Sequence, residues 1–416
     1  MFNVVESFSG IGSQAKALKR LGIEYDIKAT IDWDINAIIA YDFIHHGKQN
    51  LSEVNKLTDE ELLNELSKFT LSRDGKVSIT KKGLRNLKRE KSLRLLSAIK
   101  RCNNLGSITD VKSEMLDFKI DLFTYSFPCQ DLSIAGAWHG NNSGIDRDAN
   151  NRSGMLWEVE RILIERYKSN VQMPKFLLME NVSNILSTTH KENFEEWKNT
   201  LVDMGYYNKV YVLNANDFGV PQRRTRAYML SVHIGNNNPK KEELEQYFAN
   251  NDLGQGFVQA KLNIKHKSID EFLRIDYNNE LYYKEAVEAQ PNDTPSRQRI
   301  YNENELIVEK DRINVKNIAT ITTKQDRNPN SGVIDFISGV EGKSKFRYLT
   351  PRECFLFMGF DEEDFQRLID NDFYWRRNIR VFNNNTLYKL AGNSIVVDVL
   401  EAIFSQMIEI DKKILN

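Results

Sequence analysis

Thr124-Tyr-Ser-Phe-Pro-Cys-Gln130 closes an apolar run that begins at Asp121, and the run predicts a buried strand that ends in a turn. Pro128 fixes its own φ angle and has no amide hydrogen, so we expect the chain to turn rigidly just before Cys129. A thiol at the carboxyl end of a parallel strand lies where open α/β sheets bind their ligands. Most single cysteines are small buried apolar residues, so Cys129 takes its significance from the rest of the chain.

The amino-terminal residues predict a second ligand-binding turn. Phe2–Phe8 is an expected strand, Ser9-Gly-Ile-Gly12 a turn, and 13–21 a helix. Two glycines in such a turn let the backbone approach a ligand and direct the N-terminus of the helix towards it. The next expected strand, Tyr25–Ile31, ends in Asp32-Trp33. A carboxylate at this position suits ribose hydroxyls, and an indole beside it suits an adenine ring.

Strand and helix patterns alternate from residue 2 to about 235, which predicts an α/β fold with a doubly wound, mostly parallel sheet. One helix is expected at 153–168, with Ser153 as its N-cap and an apolar face formed by Leu156, Val159, Ile162 and Leu163. From about 236 to 345 the sequence becomes polar and irregular, which indicates a second, smaller lobe. An apolar-striped helix follows at 395–410.

Length and composition favour a soluble protein with two lobes. The chain has 416 residues, of which 41% are hydrophobic, and this exceeds the usual size of a single core. It contains no run of eighteen apolar residues and no amino-terminal signal pattern, so we expect a cytoplasmic protein without membrane contact. Its three cysteines (Cys102, Cys129 and Cys354) show no CxxC spacing, so neither a metal site nor a disulfide framework is expected.

The formal net charge is −1, so any nucleic-acid binding must depend on clustered basic residues rather than on their abundance. One basic cluster lies at 81–101, within a predicted insertion at about 47–105, and its leucines keep roughly helical spacing. A solvated helix face is the simpler interpretation of this cluster, and an arm that contacts phosphates is the alternative.

Six motifs occur in the order found in the C5-cytosine DNA methyltransferases, and the chain resembles that family. They are Phe8-Ser-Gly-Ile-Gly12, Phe127-Pro-Cys-Gln130, Glu180-Asn-Val182, Gln222-x-Arg224-x-Arg226, Arg347-Tyr-Leu-Thr-Pro-Arg-Glu-Cys354 with Met358-Gly-Phe360, and Gly392-Asn-Ser394. The resemblance covers most of the chain outside roughly 47–105 and 236–316, and around Cys129 it is closest to a branch of bacterial CpG methylases. It implies a Rossmann-like catalytic domain at 1–235, completed by a carboxyl-terminal helix at 391–416, and a target-recognition domain at 236–390.

The resemblance implies S-adenosylmethionine as the methyl donor. Asp32 is expected to bind the ribose hydroxyls and Trp33 to stack on the adenine, while Asn393 and Ser394 close the methionine end. The other residues expected to line the pocket are Phe8, Gly10, Gly12 and Phe127. Where the family usually has Asp-Ile, this chain has Ser107-Ile108, so the contact to the adenine amino group falls to Ser107 or to Asp110.

The expected chemistry is covalent catalysis. Cytosine C5 is a poor nucleophile, and addition of the Cys129 thiolate at C6 turns C5 into an enamine-like carbon. A carboxyl group opposite the thiol, assigned to Glu180, binds N3. In the family pattern Arg224 and Arg226 reach the active site, with Arg226 at the base O2, whereas Gln222 and Asn181 are expected to position other groups.

The target base lies inside double-stranded DNA and must be flipped out, while the second lobe reads its neighbours. We expect the DNA contacts of this lobe at Thr320, Lys324, Gln325 and Arg327, and a lid at 135–151. The protein is expected to act as a monomer, in a restriction-modification system or as a solitary methylase of bacterial or phage origin. Two alternatives are a tRNA methylase and a non-catalytic DNA-binding regulator. The long second lobe argues against the first, and intact Cys129, Glu180 and Arg226 argue against the second.

Overall fold

The computed structural model describes residues 1–128, 145, 153–236, 240–256, 264–376 and 378–415. Cys129 and the expected lid, apart from residue 145, lie outside the described residues. The chain divides into two compact units. Unit 1 comprises Met1–Leu213, Thr225–Asn263 and Val399–Asn416, and unit 2 comprises Asn214–Arg224 and Ile264–Asp398.

The strands are numbered along the chain. They are β1 (Phe2–Ser7), β2 (Tyr25–Ile31), β3 (Leu122–Tyr125), β4 (Phe176–Val182), β5 (Tyr206–Asn214), β6 (Gln222–Arg223), β7 (Thr225–His233), β8 (Leu306–Glu309), β9 (Arg312–Ile313), β10 (Ile318–Ala319), β11 (Val333–Asp335), β12 (Phe346–Arg347), β13 (Tyr374–Arg376) and β14 (Ile379–Arg380).

The helices are numbered in the same way. They are α1 (Ser13–Arg20), α2 (Ile35–His46), α3 (Asp59–Leu66), α4 (Lys81–Arg85), α5 (Arg89–Arg101), α6 (Leu156–Lys168), α7 (Lys191–Asp203), α8 (Lys240–Asn250), α9 (Glu280–Glu288), α10 (Pro295–Glu303), α11 (Pro351–Phe357), α12 (Glu362–Asp370), α13 (Asn384–Asn393) and α14 (Val397–Ile410). None of the helices in these described ranges is long and apolar enough to cross a membrane.

Unit 1 is built on a six-stranded sheet of order β2-β1-β3-β4-β7-β5. The strands β2, β1, β3 and β4 are parallel, and β7 runs antiparallel to β4. The strand residues of β3 are all buried, as expected for a central strand covered on both faces. This arrangement confirms the predicted α/β fold with a mostly parallel sheet. It also brings the carboxyl ends of β1 to β4 to one edge, where open sheets bind ligands.

The predicted helix at 153–168 forms, but its start was predicted wrongly. Ser153–Met155 is a 3-10 turn, and α6 begins at Leu156, so Met155 rather than Ser153 occupies the N-cap position. Short 3-10 turns of this kind are frequent at helix starts. The predicted apolar face is confirmed, since Leu156, Val159, Ile162 and Leu163 are all buried.

The basic cluster at 81–101 contains two helices, α4 and α5, rather than one continuous helix. Several of its basic side chains have internal partners. Arg89 pairs with Asp59, Lys91 donates to Asn36 Oδ1 at 2.9 Å, and Arg101 Nε lies 3.1 Å from Asp42 Oδ1. These contacts account structurally for part of the cluster, while Lys81, Lys82 and Arg85 are exposed.

Unit 2 contains the four-stranded sheet β12-β11-β8-β9 and two short two-stranded pairs, β10 with β6 and β13 with β14. Its division from unit 1 differs from the boundaries expected from sequence. Asn214–Arg224 belongs to unit 2, as does α13, which ends in Asn393. The segment Thr225–Asn263 belongs to unit 1. The carboxyl-terminal residues that belong to unit 1 begin at Val399.

A fully buried ion pair stabilises unit 2. Arg347 donates to the two carboxylate oxygens of Glu353 at 2.8 and 2.9 Å, and both side chains are 0% exposed. Burial by itself raises the pKa of Glu353, but the charge and hydrogen bonds of Arg347 outweigh it and lower that pKa below its ordinary value. The carboxylate also accepts the amides of Arg274 and Thr350, each at 2.7 Å.

We expect Glu353→Gln to lower the free energy of unfolding by about 3–5 kcal/mol, because it leaves the Arg347 charge buried without its counterion. Glu303→Gln is the control, since the Arg299–Glu303 pair is exposed at 76% and 59% and such pairs contribute about 0.2–1 kcal/mol. Urea unfolding of both variants measures the difference. Equal losses in the two variants would contradict this assignment.

Candidate active site

The turn after β1 is held by the end of β2. The Gly10 amide donates to Asp32 Oδ2 at 2.9 Å, and the Asp34 amide donates to Asp32 Oδ1 at 2.9 Å. Phe8 and Gly10 have left-handed φ angles of 56° and 54°, which bend the backbone towards this carboxylate. A carboxylate offers about four acceptor sites, so a group of this kind can bind ribose hydroxyls in addition to backbone amides.

The two glycines of this turn have different surroundings. Among the described residues, and apart from its chain neighbours, the nearest atom to a methyl group at Gly10 would be Phe8 O, at 4.0 Å, so no described side chain fills the space beside Gly10. A methyl group at Gly12 would collide with the ring of His45 and lie 2.6 Å from Tyr41 Cε2. Gly12 is therefore required by packing against α2, while the surroundings of Gly10 fit a backbone that a bound nucleoside approaches.

The other expected cofactor residues of unit 1 lie in varied environments. Trp33 is half-buried, and its carbonyl accepts the Ser72 amide at 2.6 Å. Phe127 is 2% exposed and belongs to the main core, against which Phe8 packs. Ser107 caps a 3-10 turn with its hydroxyl 2.8 Å from that of Thr109, whereas Asp110 is exposed. The adenine contact therefore stays open between Ser107 and Asp110.

The ends of β3 and β4 are joined by a buried hydrogen bond. Asn181 Nδ2 donates to the Phe127 carbonyl at 3.1 Å, and Asn181 Oδ1 accepts the Val182 amide at 2.8 Å. Asn181 is 2% exposed, so both polar ends of its side chain are satisfied inside the protein. This geometry supports the expected positioning role of Asn181, because the bond fixes the turn that leads through Pro128 to Cys129.

Glu180 and Arg226 lie side by side at the same edge. In the antiparallel pairing of β4 and β7, Val182 lies opposite Arg226 and Glu180 opposite Tyr228. Arg226 Nε is 3.4 Å from Glu180 Oε1, and the two side chains are 17% and 12% exposed. A carboxylate and a guanidinium that are largely shielded from water, yet still accessible, can bind the polar edge of a base.

Arg224 has surroundings that favour a structural role over the predicted catalytic one. It is 4% exposed, and its guanidinium donates to the carbonyls of Ile321 at 2.9 Å, Gly392 at 3.1 Å and Ser394 at 2.8 Å. Gln222 is also buried, as expected for a supporting residue. It donates to the Phe357 carbonyl at 3.0 Å and accepts the Ile321 amide at 3.1 Å.

The residues expected to close the methionine end of the pocket lie in unit 2. Asn393 is exposed at the end of α13, while Ser394 is buried and its carbonyl accepts from Arg224. Phe8, Gly10, Gly12, Asp32 and Trp33 all lie in unit 1. The role of Asn393 and Ser394 in cofactor binding stays a prediction.

The expected DNA contacts in unit 2 divide into two pairs. Lys324 and Arg327 are exposed, and Arg327 Nε lies 3.3 Å from Asp326 Oδ2. Gln325 is 0% exposed and donates to the Ser331 hydroxyl, and the hydroxyl of Thr320 donates to the Arg223 carbonyl at 2.7 Å. The prediction for Gln325 is therefore corrected, because a fully buried side chain bound within its own loop supports that loop rather than reaching DNA.

Three possible metal ligands lie together in unit 1. Atoms of Asp42, His46 and Cys102 lie within 4.8 Å of one another. The Asp42 carboxylate accepts from Gln49 at 2.8 Å and pairs with Arg101, so its charge is already balanced. Burial raises the pKa of the Cys102 thiol, which keeps it protonated. This cluster is thus accounted for as core structure.

Comparison with known proteins identifies the family. The family model described as C-5 cytosine-specific DNA methylase matches residues 81–409. The Orphan methyltransferase M.SssI of Spiroplasma monobiae is 32% identical over 97% of this chain and 96% of its own length. The chain belongs to the C-5 cytosine-specific DNA methylase family. Its enzyme activity is DNA (cytosine-5)-methyltransferase activity, and family members use S-adenosylmethionine.

Further comparisons agree with this assignment. The Type II methyltransferase M2.ScrFI of Lactococcus lactis subsp. cremoris is 32% identical over 98% of this chain and 99% of its own length. Among solved structures, the Dnmt2 methyltransferase of S. pombe has a TM-score of 0.58 at 18% identity and covers 98% of this chain and 99% of its own. At that identity the structural match supports the fold alone.

His45 is a residue of this methyltransferase site that the sequence interpretation missed. Its Nε2 lies 3.0 Å from the Ile11 carbonyl, directly between the two glycines of the turn. The ring also packs on Tyr41, with centroids 4.5 Å apart. No local pattern signals this contact, because the two partners are separated by 34 positions.

Alanine substitutions at the two glycines should have different consequences. An alanine in the left-handed conformation costs about 1–2 kcal/mol in backbone strain. Gly12→Ala should lower the free energy of unfolding by more than this amount, because its methyl group also collides with His45. Gly10→Ala should lose little more than that strain but weaken S-adenosylmethionine binding by about tenfold or more. Thermal unfolding and calorimetric titration measure the two effects. Unchanged cofactor affinity in Gly10→Ala would contradict the placement of the ligand at this turn.

Proposed function

We propose that this methyltransferase flips a cytosine out of duplex DNA, attacks its C6 with Cys129 and methylates C5 with S-adenosylmethionine as donor. The observation that carries the proposal is the pairing of Glu180 with Arg226 next to Asn181, whose hydrogen bond holds the turn before Cys129. A base-binding acid and a nucleophile are thereby assigned to the adjacent carboxyl ends of β4 and β3.

The proposed nucleophile is assigned from its sequence position. Cys129 follows Pro128 directly at the end of β3, and the described chain reaches Pro128. The Cys129 thiol must lose its proton before attack, since the thiolate is the reactive form. The sulfur then forms a bond to C6, the C5–C6 double bond is displaced, and C5 gains electron density. After methyl transfer, loss of the C5 proton and of the sulfur restores the aromatic ring.

The proposed role of Glu180 is to deliver a proton from its carboxyl group to N3 of the flipped cytosine, which offsets the negative charge that builds up on the ring when the thiolate adds to C6. Arg226, 3.4 Å away, orients the Glu180 carboxylate and extends towards the base O2. N3 and O2 of cytosine are both acceptors, so the pair fits them with a protonated carboxyl group and a guanidinium as the two donors.

The proposed cofactor pocket lies at the carboxyl ends of β1 and β2. The cofactor supplies an electrophilic methyl group. Asp32 is proposed to accept the ribose hydroxyls, and the backbone at Gly10 to approach the nucleoside. The hydrogen bond that fixes Asp32 beside the turn supports this proposal, as does the space beside Gly10 among the described residues. Trp33, half-buried beside Asp32, is proposed to stack on the adenine.

The proposed biological setting is host or phage DNA modification, with or without a partner nuclease. One relative carries the designation orphan and the other type II, so both settings are represented among proteins of equal similarity. Residues 236–345 are proposed to determine the recognition sequence.

Cys129→Ser should abolish methyl transfer, with a loss of at least about three orders of magnitude, while cofactor binding persists. A serine hydroxyl is far less acidic than a thiol and does not supply an equivalent anion. Cys102→Ser is the control, because Cys102 is a buried core residue with a raised thiol pKa. Tritium transfer from labelled cofactor to duplex DNA measures turnover, and activity within tenfold of wild type in Cys129→Ser would refute the nucleophile assignment.

Glu180→Gln should lose about 10²- to 10⁴-fold in turnover, the range typical of general acid–base groups, yet still bind duplex DNA. The amide preserves size but cannot deliver a proton to N3. Glu192→Gln, an exposed position in α7, serves as the matched control. A loss smaller than about threefold would assign the role to another group.

A further inference from the structure

Unit 2 carries a short hairpin formed by β13 and β14, which we call the arginine hairpin and define by its strand residues Tyr374–Arg376 and Ile379–Arg380. In its antiparallel ladder Tyr374 pairs with Arg380, and Arg376 pairs with Ile379. Tyr374 is 51% exposed and Ile379 is 42% exposed. The hairpin therefore presents aromatic, apolar and basic groups together at the surface of its unit.

The base of the arginine hairpin is fixed by one carboxylate. Asp372 Oδ1 accepts the Phe373 amide at 2.8 Å and the Phe382 amide at 3.1 Å. The Val381 amide donates to the Phe373 carbonyl at 2.9 Å, and Phe373 and Phe382 are both buried. Because both ends of the hairpin are anchored in the core of unit 2, its exposed side chains start from a well-defined backbone.

Arg376 of the hairpin differs from the closely paired arginines of unit 2. Arg347, Arg352 and Arg274 are paired with carboxylates at 2.8 Å or less. The Arg376 guanidinium instead lies 4.3 Å from the centroid of the Trp375 ring, and among the described residues no carboxylate is within ion-pair distance of it. Arg380 lies 5.3 Å from the centroid of the Tyr374 ring, with Asp372 at 3.8 Å.

The sequence around the hairpin is also poor in acidic residues. Between Asp372 and Asp398 the chain contains no acidic residue, but it contains Arg376, Arg377, Arg380 and Lys389. The whole protein has a formal net charge of −1, so this segment is a local excess of positive charge on a nearly neutral molecule. Such clustering is what a DNA-binding protein with an ordinary net charge requires.

A cleft lined by polar and charged side chains includes residues that follow the hairpin in sequence. Asn383 caps α13, and together with Asn384 and Asn385 it lines a cleft of about 880 Å³ within unit 2. The same cleft is lined by three cationic side chains, Arg297, Arg327 and Lys343, and by two acidic ones, Glu288 and Asp326. Amide and guanidinium groups are the donors that proteins use towards phosphates and base edges. The hairpin thus adjoins, in sequence, a surface of matching chemistry.

We propose that the arginine hairpin is a DNA-contacting element, in which Arg376 and Arg380 bind phosphates of the substrate duplex while Tyr374 and Ile379 pack against the sugar edge. This inference rests on the proposed function, since it concerns how the same substrate is held. A planar guanidinium binds phosphate through paired hydrogen bonds, and stacking on an aromatic ring holds it in place beforehand. The hairpin lies outside residues 236–345, so its contacts are expected to add affinity rather than to select the sequence.

The test is a double variant, Arg376→Ala with Arg380→Ala, compared with Arg312→Ala with Lys316→Ala. The control removes the same two charges from exposed positions of the same unit. Binding of a duplex that carries the target site is measured over a range of salt concentrations. The hairpin variant should bind about 10- to 100-fold more weakly at physiological salt, and its log–log salt slope should fall by about 0.9 for each lost phosphate contact. The control should change affinity by less than about threefold.

Two further measurements keep the outcomes separate. Arg376→Lys with Arg380→Lys keeps the charges but not the planar groups, so it should restore only part of the affinity. S-adenosylmethionine affinity should be unchanged in all three double variants. Equal DNA affinity and equal salt slope in the hairpin and control variants would overturn the proposal, as would a change in oligomeric state without a change in DNA binding. Failure of the wild-type protein to methylate any duplex would instead refute the proposed function.

Discussion

The hydrogen bond from Asn181 to the Phe127 carbonyl is the constraint on which the proposed site depends. It is buried, spans 54 positions of sequence and joins the ends of β4 and β3. Without it the Phe127 carbonyl would lose its buried donor, at a cost of about 1–3 kcal/mol, and the turn before Cys129 would lose its link to Glu180. The parallel sheet brings these residues to one edge, and the Asn181 amide sets the spacing between them.

Buried polar side chains that bind backbone groups also hold unit 2 together. Arg224 joins the carbonyls of Ile321, Gly392 and Ser394, and Gln222 joins Phe357 to Ile321. These bonds fix loops that have little regular secondary structure of their own. The motif Gln222-x-Arg224-x-Arg226 thus contains one arginine that lies beside Glu180, Arg226, and one that is bound to buried carbonyls, Arg224.

The central sheet could be predicted because its signals are local. Apolar runs, glycine turns and residues at strand ends lie within a few positions of each other, and β2 begins and ends at the predicted residues. The environments of Arg224 and Gln325 could not be predicted, because polar side chains have the same sequence signature whether they face solvent or buried carbonyls. His45 was missed for a related reason, since its contact with Ile11 depends on how α2 packs beneath the glycine turn. The start of α6 was missed because a 3-10 turn precedes it.

The most direct test of the account is covalent trapping on a duplex whose target cytosine carries fluorine at C5. Fluorine cannot leave as a proton does, so an enzyme that attacks C6 and transfers the methyl group remains bonded to the DNA. We predict a denaturation-resistant protein–DNA adduct that requires both S-adenosylmethionine and Cys129. Methylation of the ordinary duplex without any adduct on the fluorinated one would contradict the claim that Cys129 acts as a covalent nucleophile at the edge formed by β3 and β4.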